Sequence, residues 1–218
     1  MMGHSLGEYS ALTAAKILSI EDCSLLLKIR GDLMQNAYEP NQSGMVAIIG
    51  MSCKIVEEII KLNHLNIEIA NDNSPLQVVV SGKKKDLADS EKFFLNEGAK
   101  KYIFLNVSAA FHSNLMLNSQ DKMKNHINNT FFNKSNMSII SNFTGKICKN
   151  NKEIIQNLSY QMSNRVRWVE SVKTLEENEE KNIIEIGPGK VLTGLIKRIS
   201  KNFNIINIET ITDLENYS

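Results

Sequence analysis

Gly3-His4-Ser5-Leu6-Gly7-Glu8 is the stretch from which the fold of this chain can be argued. Glycines two residues on either side of a serine allow a sharp turn from a strand into a helix, so that the hydroxyl stands clear at the helix N-terminus. The helix dipole and the free backbone N–H groups at that end can hold an oxyanion. The pattern therefore predicts a nucleophile elbow, with Ser5 at its tip.

A simpler interpretation of the same residues is a helix cap, because Ser5 and Glu8 stand three positions apart, as in a capping box. The start of the chain also departs from the elbow pattern. An elbow serine follows a buried strand, yet only Met1 and Met2 precede Gly3. We therefore expect that the strands which would come before the elbow are missing from this chain.

The composition limits the class of protein. A chain of 218 residues with 42% hydrophobic residues can form one large domain, or a domain with a smaller insert. A net charge of +1 gives no overall field that would attract nucleic acid or an anionic membrane. No apolar run approaches the ~18 residues of a membrane span. Cys23, Cys53 and Cys148 are far apart and have no C-x-x-C spacing, which is typical of reduced thiols in a cytoplasmic protein. We expect no metal, no cofactor and no disulfide.

A second helix is predicted from Ser19 to about Met34, and it carries a charged residue on its apolar face. Arg30 falls inside the apolar stripe, four residues after Leu26 and four before Met34. A buried guanidinium needs an anionic partner, which a ligand could supply. The alternative is an arginine whose charged end reaches solvent between helices.

A compact unit of strands and helices begins at Gly44. Its predicted strands cover residues 45–50, 67–70, 77–81 and 102–107, its helices cover 54–62 and 86–96, and residues 71–75 form a turn cluster. The order β-α-β-β-α-β is typical of a ferredoxin-like subdomain. The alternative is that these strands join the main sheet.

His112 has the most informative position among the four histidines. It lies just past a predicted strand, where α/β sheets present their functional loops, although a lone histidine there is more often structural than catalytic. His64 and His126 lie in polar surroundings, and we expect both on the surface.

The last third of the chain is predicted to continue with a strand over 137–141, a helix over 152–162 and a strand over 182–186. Trp168 is expected in the core. Gly187-Pro188-Gly189 could hold a phosphate, but a plain turn is favoured. The helix that follows the turn should direct these residues inward: Val191, Leu192, Leu195, Ile196 and Ile199.

Taken in order, these segments resemble the malonyl-CoA:acyl-carrier-protein transacylases of fatty acid synthesis and the related acyltransferase domains of polyketide synthases. The matching segments run the whole length of the chain: 3–12, Arg30-Gly31 with Met34-Gln35, 44–50, 71–75, 111–113, Gln161 with 166–168, and 185–195. No single motif decides the match, but their occurrence in register is specific.

The resemblance implies an α/β fold in two parts. An α/β-hydrolase-like large subdomain with a parallel sheet would comprise residues 1–40 and 108–218, and an inserted ferredoxin-like small subdomain would comprise residues 41–107. The implied activity is transfer of a malonyl group from malonyl-CoA to acyl carrier protein through a malonyl-serine intermediate. We expect a cytoplasmic monomer that supplies fatty acid synthesis.

The resemblance also implies roles for individual residues. Ser5 would be the nucleophile, and His112 would be its general base, oriented by the backbone carbonyl of Gln161. Arg30 would bind the malonyl carboxylate, and the Leu6 N–H would donate one hydrogen bond to the oxyanion.

Two further features of the family bear on specificity. Phe111 resembles the malonyl-selective form of the motif, because a bulky ring there leaves little room for a methyl branch. Lys100 and Lys101 match a basic patch that family members use against the acidic carrier protein. The alternative is that these are two lysines on a solvated strand end.

The chain departs from the family in two places. The family's Gly-Gln-Gly-Ser-Gln segment, whose first glutamine gives the second oxyanion N–H, is absent. Arg165 stands where the family usually has proline, which we interpret as a change in a surface loop.

Two alternative functions remain open. One is a serine hydrolase or thioesterase that uses Ser5, His112 and Glu185 as the acid, although α/β-hydrolases place the acid between serine and histidine in the chain. The other is an inactive remnant that lacks its N-terminal segment.

Overall fold

The computed structural model describes residues 1–39 and 41–217, so Pro40 and Ser218, at the predicted subdomain limits, lie outside the described residues. The helices are α1 Leu6–Ala14, α2 Ile20–Gln35, α3 Cys53–Leu62, α4 Lys84–Asn96, α5 Leu117–Asn128, α6 Asn151–Tyr160, α7 Trp168–Glu177, α8 Val191–Ile199 and α9 Ile211–Tyr217, with a short 3₁₀ turn at Asn114–Met116. The strands are β1 Ser43–Ile49, β2 Ile67–Ser74, β3 Gln77–Lys83, β4 Lys101–Phe104, β5 Asn182–Ile186 and β6 Asn204–Ile208.

The middle of the chain forms a four-stranded antiparallel sheet in the order β2-β3-β1-β4. Alternate residues of its strands point to opposite faces. One face packs with α3 and α4 into a core that contains Val46, Ile48, Val56, Ile59, Val78, Val80, Leu87 and Phe94. This order and the β-α-β-β-α-β connectivity agree with the predicted ferredoxin-like architecture, while the limits 41–107 stay a prediction.

The opposite face of this sheet meets the rest of the molecule. Met45, Ala47 and Val79 form a second cluster on it, against which Val107 and Phe111 pack. The loop that carries Phe111 is thereby held beneath the sheet, and the Ser81 hydroxyl donates a hydrogen bond of 2.7 Å to the Phe111 carbonyl. This contact fixes the backbone immediately before His112.

The predicted turn cluster at 71–75 is wrong. β2 continues through Asn71 to Ser74 with two register shifts against β3, and only Pro75 and Leu76 remain outside the strands. The reason is a long-range pairing, since the Asp72 N–H donates to the Val166 carbonyl (3.0 Å) and the Val166 N–H donates to the Ala70 carbonyl (2.8 Å). The predicted strand over 102–107 is also too long, because β4 ends at Phe104.

Most of the remaining helices and strands form two packed groups. Helices α1, α2, α5 and α6 share a core with Tyr9, Leu12, Leu26, Met116, Met123, Ile127 and Leu158. The parallel pair β5–β6 packs with α7 and α8 around Val166, Trp168, Val172, Leu195 and Ile196. Trp168 is buried as predicted, with 1% of its surface exposed. This mixed layer of parallel strands and helices is the α/β class that the sequence predicts.

Two details towards the end of the chain differ from the predictions. Residues 137–141 form no strand, since Ile140 makes only an isolated bridge to Ile147 and donates its N–H to the Met1 carbonyl. Val191 is 70% exposed, because it begins α8 at the edge of the apolar stripe that Leu195 and Ile196 continue. Arg165 lies in a loop and is partly exposed, as predicted, but its guanidinium also pairs with Glu57 of α3.

Gly187-Pro188-Gly189 serves as a turn between β5 and α8. Gly187 and Gly189 both have positive φ, at 139° and 79°, which glycine adopts without steric cost. The Gly187 N–H donates to the Ile208 carbonyl, and the Gly189 N–H donates to the Glu209 carboxylate. Their N–H groups are thus used within the chain, which favours the turn over a phosphate site.

Candidate active site

Ser5 sits at the tip of a tight turn that enters α1. Its backbone has φ 52° and ψ −104°, an unusual conformation for a residue with a side chain. A Cβ placed on Gly3 would lie 2.0 Å from the Gly7 carbonyl oxygen, so the turn closes only with glycine there. The Ser5 side chain makes no capping hydrogen bond to α1. The capping-box alternative is therefore wrong.

A histidine approaches the Ser5 hydroxyl from a distant part of the chain. His112 Nε2 lies 2.9 Å from Ser5 Oγ, and His112 Nδ1 lies 3.0 Å from the Gln161 backbone carbonyl. A carbonyl oxygen only accepts, so Nδ1 must carry the proton and Nε2 must present its lone pair to the Ser5 hydroxyl. This tautomer is the one that can take the serine proton.

The environment of His112 keeps its ring neutral. Burial, together with the positive charge of Arg30, lowers the pKa of His112 from 6.5 to about 3. The backbone N–H of His112 donates to the Met162 carbonyl (3.2 Å). This bond helps to fix the His112 backbone, which has φ 58°. At neutral pH the imidazole is therefore uncharged and available to accept a proton.

Arg30 lies beside the same hydroxyl and is 6% exposed, so the alternative of a solvent-reaching side chain is wrong. Its Nη2 donates to Ser5 Oγ (2.8 Å) and to Gln161 Oε1 (3.2 Å), and its guanidinium carbon lies 5.6 Å from the centre of the Tyr9 ring. Among the described residues, no carboxylate lies within ion-pair distance of Arg30. Its Nε–H is buried and has no hydrogen-bond partner in that part of the chain.

The surroundings of Arg30 suit it to bind an anionic ligand. Burial lowers the pKa of Arg30, yet a guanidinium stays protonated under all ordinary conditions. A buried cation without an ion partner, and with a free N–H, is costly unless a ligand satisfies it. A carboxylate fits this need, because it can accept two hydrogen bonds from one guanidinium.

The family of the chain follows from its similarity to known proteins. The family model described as "Acyl transferase domain" matches residues 1–214. The chain belongs to the acyl transferase domain family. A malonyl CoA-acyl carrier protein transacylase of Staphylococcus aureus (strain MSSA476) is 36% identical over 220 residues, which cover all of this chain and 71% of the relative. The protein of the same name from Bacillus subtilis (strain 168) is 34% identical over 210 residues, 94% of this chain and 66% of the relative.

Solved structures of the family superpose closely on this chain. An acyl-carrier-protein S-malonyltransferase from Burkholderia pseudomallei 1710b gives a TM-score of 0.94 at 32% identity, over 99% of this chain and 71% of that one. A malonyl-transacylase in complex with a type II PKS acyl-carrier protein gives 0.93 at 35% identity, over 99% of this chain and 72% of that one. These matches confirm the family and the fold class.

The structure brings most of the predicted site residues of this acyltransferase together. Ser5, His112, Arg30 and Gln161 are joined by direct hydrogen bonds, as described above. Leu6 is the first residue of α1 and follows the nucleophile directly. Its backbone N–H has no hydrogen-bond partner among the described residues. It is therefore free to donate to an oxyanion.

The remaining predicted residues make no hydrogen bond to the Ser5 hydroxyl, whose partners among the described residues are His112 and Arg30. Phe111 is half-buried and packs against the cores on both sides of its loop. Lys100 and Lys101 are exposed at the start of β4, where either a carrier protein or solvent could contact them. His64 and His126 are exposed, as predicted.

Two buried residues of the site were missed in the sequence. Glu8 Oε2 accepts hydrogen bonds from Gln161 Nε2 (2.7 Å) and the Asn142 N–H (3.3 Å). Asn142 Oδ1 accepts from the Ser5 N–H (2.6 Å), and its Nδ2 donates to the Gly3 carbonyl (2.7 Å). Glu8 could have been found, since it precedes Leu12 by one helical turn on the buried face of α1. Nothing local marks Asn142, because its role depends on contacts 137 and 139 residues away.

His4 ties the elbow to the small sheet. Its Nε2 lies 2.8 Å from Asn73 Oδ1, and its ring lies 5.4 Å from that of Trp168. Asn73 belongs to β2, within the segment first predicted as a turn. The extension of β2 is therefore what places a polar side chain beside the elbow.

Glu185, the acid of the hydrolase alternative, lies elsewhere. Its carboxylate accepts hydrogen bonds from the Leu192 and Thr193 N–H groups and from the Thr193 hydroxyl, so it caps α8. The group that contacts His112 Nδ1 is the Gln161 carbonyl. The serine–histidine–carboxylate triad proposed for a hydrolase is therefore wrong.

Across residues 1–39 and 41–217, no group of three or more His, Cys, Asp or Glu side chains is arranged to hold a metal ion. No helix in the described part of the chain has the length and hydropathy that crossing a membrane requires.

Proposed function

We propose that this chain transfers a malonyl group from malonyl-CoA to the phosphopantetheine thiol of acyl carrier protein, through an ester on Ser5. The observation that carries the proposal is the buried Arg30 guanidinium, 2.8 Å from Ser5 Oγ and without a carboxylate partner among the described residues. An acyl group that ends in a carboxylate would place its anion on Arg30 while its thioester faces Ser5. The names of the similar proteins support the same substrate and acceptor.

The first half-reaction forms the malonyl ester. Ser5 Oγ attacks the thioester carbonyl while its proton moves to His112 Nε2, and the Leu6 N–H donates to the oxyanion that develops. The C–S bond then breaks, and the coenzyme A thiolate leaves with the proton from His112. The Gln161 carbonyl stabilises the imidazolium through its bond to Nδ1.

The second half-reaction reverses these steps with a new thiol. The phosphopantetheine thiol loses its proton to His112 Nε2 and attacks the ester carbonyl. The bond to Ser5 Oγ breaks, and His112 returns the proton to the serine oxygen. One thioester is exchanged for another, so no water is consumed and no oxidant is needed.

The proposal also covers the choice of acyl group, the contact with the carrier protein and the setting in which the chain acts. Phe111 would disfavour a methyl branch, although a pocket discriminates one carbon by only ~1–3 kcal/mol. Lys100 and Lys101 would contact the acidic carrier protein. The chain would act as a cytoplasmic monomer that supplies fatty acid synthesis, with residues 41–107 as the small subdomain.

The test is transfer of radiolabelled malonyl from malonyl-CoA to purified holo-acyl carrier protein. We expect label on the carrier protein that disappears with Ser5→Ala and falls by roughly 10²–10⁴ with His112→Ala, the usual contribution of a general base. Free malonate without labelled carrier protein would support the hydrolase alternative. A folded chain that neither transfers nor hydrolyses would support the inactive alternative.

A further inference from the structure

Glu8 is a buried carboxylate that the proposed chemistry does not use. It is 3% exposed, and its carboxylate contacts the Gln161 side chain in the interior. Burial raises the pKa of Glu8 to about 7, and the Gln161 amide, the Asn142 N–H and the Arg30 charge oppose that rise. Burying an ionisable carboxyl group is energetically unfavourable, so we expect Glu8 to have a specific role.

The contacts of the Gln161 side-chain amide indicate this role. Gln161 Nε2 donates to Glu8 Oε2 (2.7 Å) and to the Ser5 carbonyl (3.0 Å), while Gln161 Oε1 accepts from Arg30 Nη2 (3.2 Å). A carboxylate only accepts and a guanidinium only donates, so only one orientation of the amide satisfies both neighbours. The opposite orientation would set two donors against each other at Arg30 and two acceptors against each other at Glu8.

We propose that Glu8 is a positioning residue that fixes the Gln161 amide, so that Gln161 Oε1 holds Arg30 beside Ser5 and gives the site its preference for a carboxylate-bearing acyl group. This inference rests on the proposed function. It gives the Gln161 side chain a role separate from that of its backbone carbonyl, which contacts His112.

Direct attraction between the charges of Glu8 and Arg30 is a different explanation, and the Glu8→Gln variant separates the two. Among the described residues, Glu8 and Arg30 form no ion pair within bonding distance. The connection runs from Glu8 through the Gln161 amide to Arg30. What Arg30 needs from Glu8 is therefore an acceptor at the position of Oε2, and an uncharged acceptor should serve.

The experiment uses the full chain with malonyl-CoA and acetyl-CoA as acyl donors, and it measures the ratio of Ser5 labelling rates for the two. Glu8→Met removes the acceptor with little change in volume, and we expect the malonyl-to-acetyl ratio to fall at least about fivefold, as for a lost hydrogen bond. Glu8→Gln keeps an oxygen acceptor and should hold the ratio within about twofold. Glu153→Met is the matched control, because Glu153 also accepts a backbone N–H, from Lys149, and has no hydrogen bond to Ser5 or Gln161 among the described residues.

A second variant keeps the test decisive if Glu8→Met fails to fold. Gln161→Met removes the amide but keeps the backbone carbonyl that contacts His112, and it should lower the ratio as Glu8→Met does. A ratio unchanged in Glu8→Met or Gln161→Met would overturn this inference alone. Equal losses in Glu8→Gln and Glu8→Met would also overturn it, in favour of a pure charge effect. A folded wild-type chain that takes no malonyl label on Ser5 would overturn the inference and the proposed function together.

Discussion

At the scale of single residues, the Ser5 hydroxyl is held between a base and a cation. His112 Nε2 accepts its proton at 2.9 Å, while Arg30 Nη2 donates to its oxygen at 2.8 Å. An acyl carboxylate bound to Arg30 would compete with the Ser5 hydroxyl for the same guanidinium.

Arg30→Ala should change the choice of acyl group more than the chemistry itself. We expect Ser5 labelling by malonyl-CoA to fall by about one to two orders of magnitude, since a hydrogen bond to a charged group contributes about 1.5–3 kcal/mol. Labelling by acetyl-CoA should change little. The measurement is the labelling rate with each donor.

Lys28→Ala is the matched control for Arg30→Ala, because Lys28 lies on the exposed side of the same helix. Its labelling rates should equal those of the wild type. Equal losses with malonyl-CoA and acetyl-CoA in Arg30→Ala would contradict the assignment of Arg30 to the carboxylate.

At the scale of elements, the turn before α1 places the nucleophile. Gly3 and Gly7 flank Ser5 symmetrically in the sequence, but the space around each glycine differs in the structure. A Cβ on Gly3 would strike the backbone of Gly7 at 2.0 Å, whereas a Cβ on Gly7 meets nothing within 4 Å among the described atoms. Backbone atoms cannot move aside as the end of a long side chain can.

Gly3→Ala and Gly7→Ala form a matched pair for testing the turn. Gly3→Ala should lower the free energy of unfolding by about 1–3 kcal/mol, the usual cost of overpacking, and should abolish labelling of Ser5. Gly7→Ala should leave labelling intact and stabilise α1 by up to about 1 kcal/mol, since alanine favours helix. Urea unfolding and Ser5 labelling measure both effects, and similar losses in the two variants would contradict this description of the turn.

Local sequence patterns predicted most helices and strands. Where these predictions were wrong, long-range contacts explain the difference. Residues 53–62 have a strong apolar period, and the helix over 20–35 begins at Ser19, whose side chain caps it by accepting from the Asp22 N–H. Asn71, Asp72 and Asn73 look like a turn to any local rule, yet Val166 extends the strand through them. Ser5, Arg30 and His112 could be predicted because each stands in a recognisable motif. Asn142 could not, because only its contacts with Gly3 and Ser5 reveal its role.

At the scale of the whole molecule, the site is where distant parts of the chain meet. Ser5 and His112 are 107 residues apart, and Ser5 and Gln161 are 156 apart. The small sheet also takes part, through Asn73 on His4 and through the pairing of β2 with Val166. The buried titratable groups at this meeting point make the stability of the fold depend on pH.

Two of these groups act in opposite directions. Glu8 has a raised pKa, so its contribution to stability is fully present below pH 4.5 and is lost as the pH rises to about 7. His112 has a lowered pKa, so its contribution is present above pH 6.5 and is lost as the pH falls towards 3. A comparison with a variant at position 8 isolates the first effect from the second.

Glu8→Gln should therefore gain stability relative to the wild type as the pH rises. A rise in pKa from 4.5 to about 7 corresponds to about 3 kcal/mol of unfolding free energy, so the difference between the two proteins should grow by up to that amount between pH 5 and pH 8. Urea unfolding at the two pH values measures it. The same difference at both pH values would show that Glu8 carries no burial cost.

The most direct test of the central claim is the mass of the chain after brief exposure to malonyl-CoA, followed by mapping of the modified peptide. We predict one added malonyl group per chain, on the peptide that contains Ser5, with none on Ser5→Ala. The group should leave when holo-acyl carrier protein is added. A folded chain that gains no mass, or that carries the malonyl group on another residue, would contradict the account.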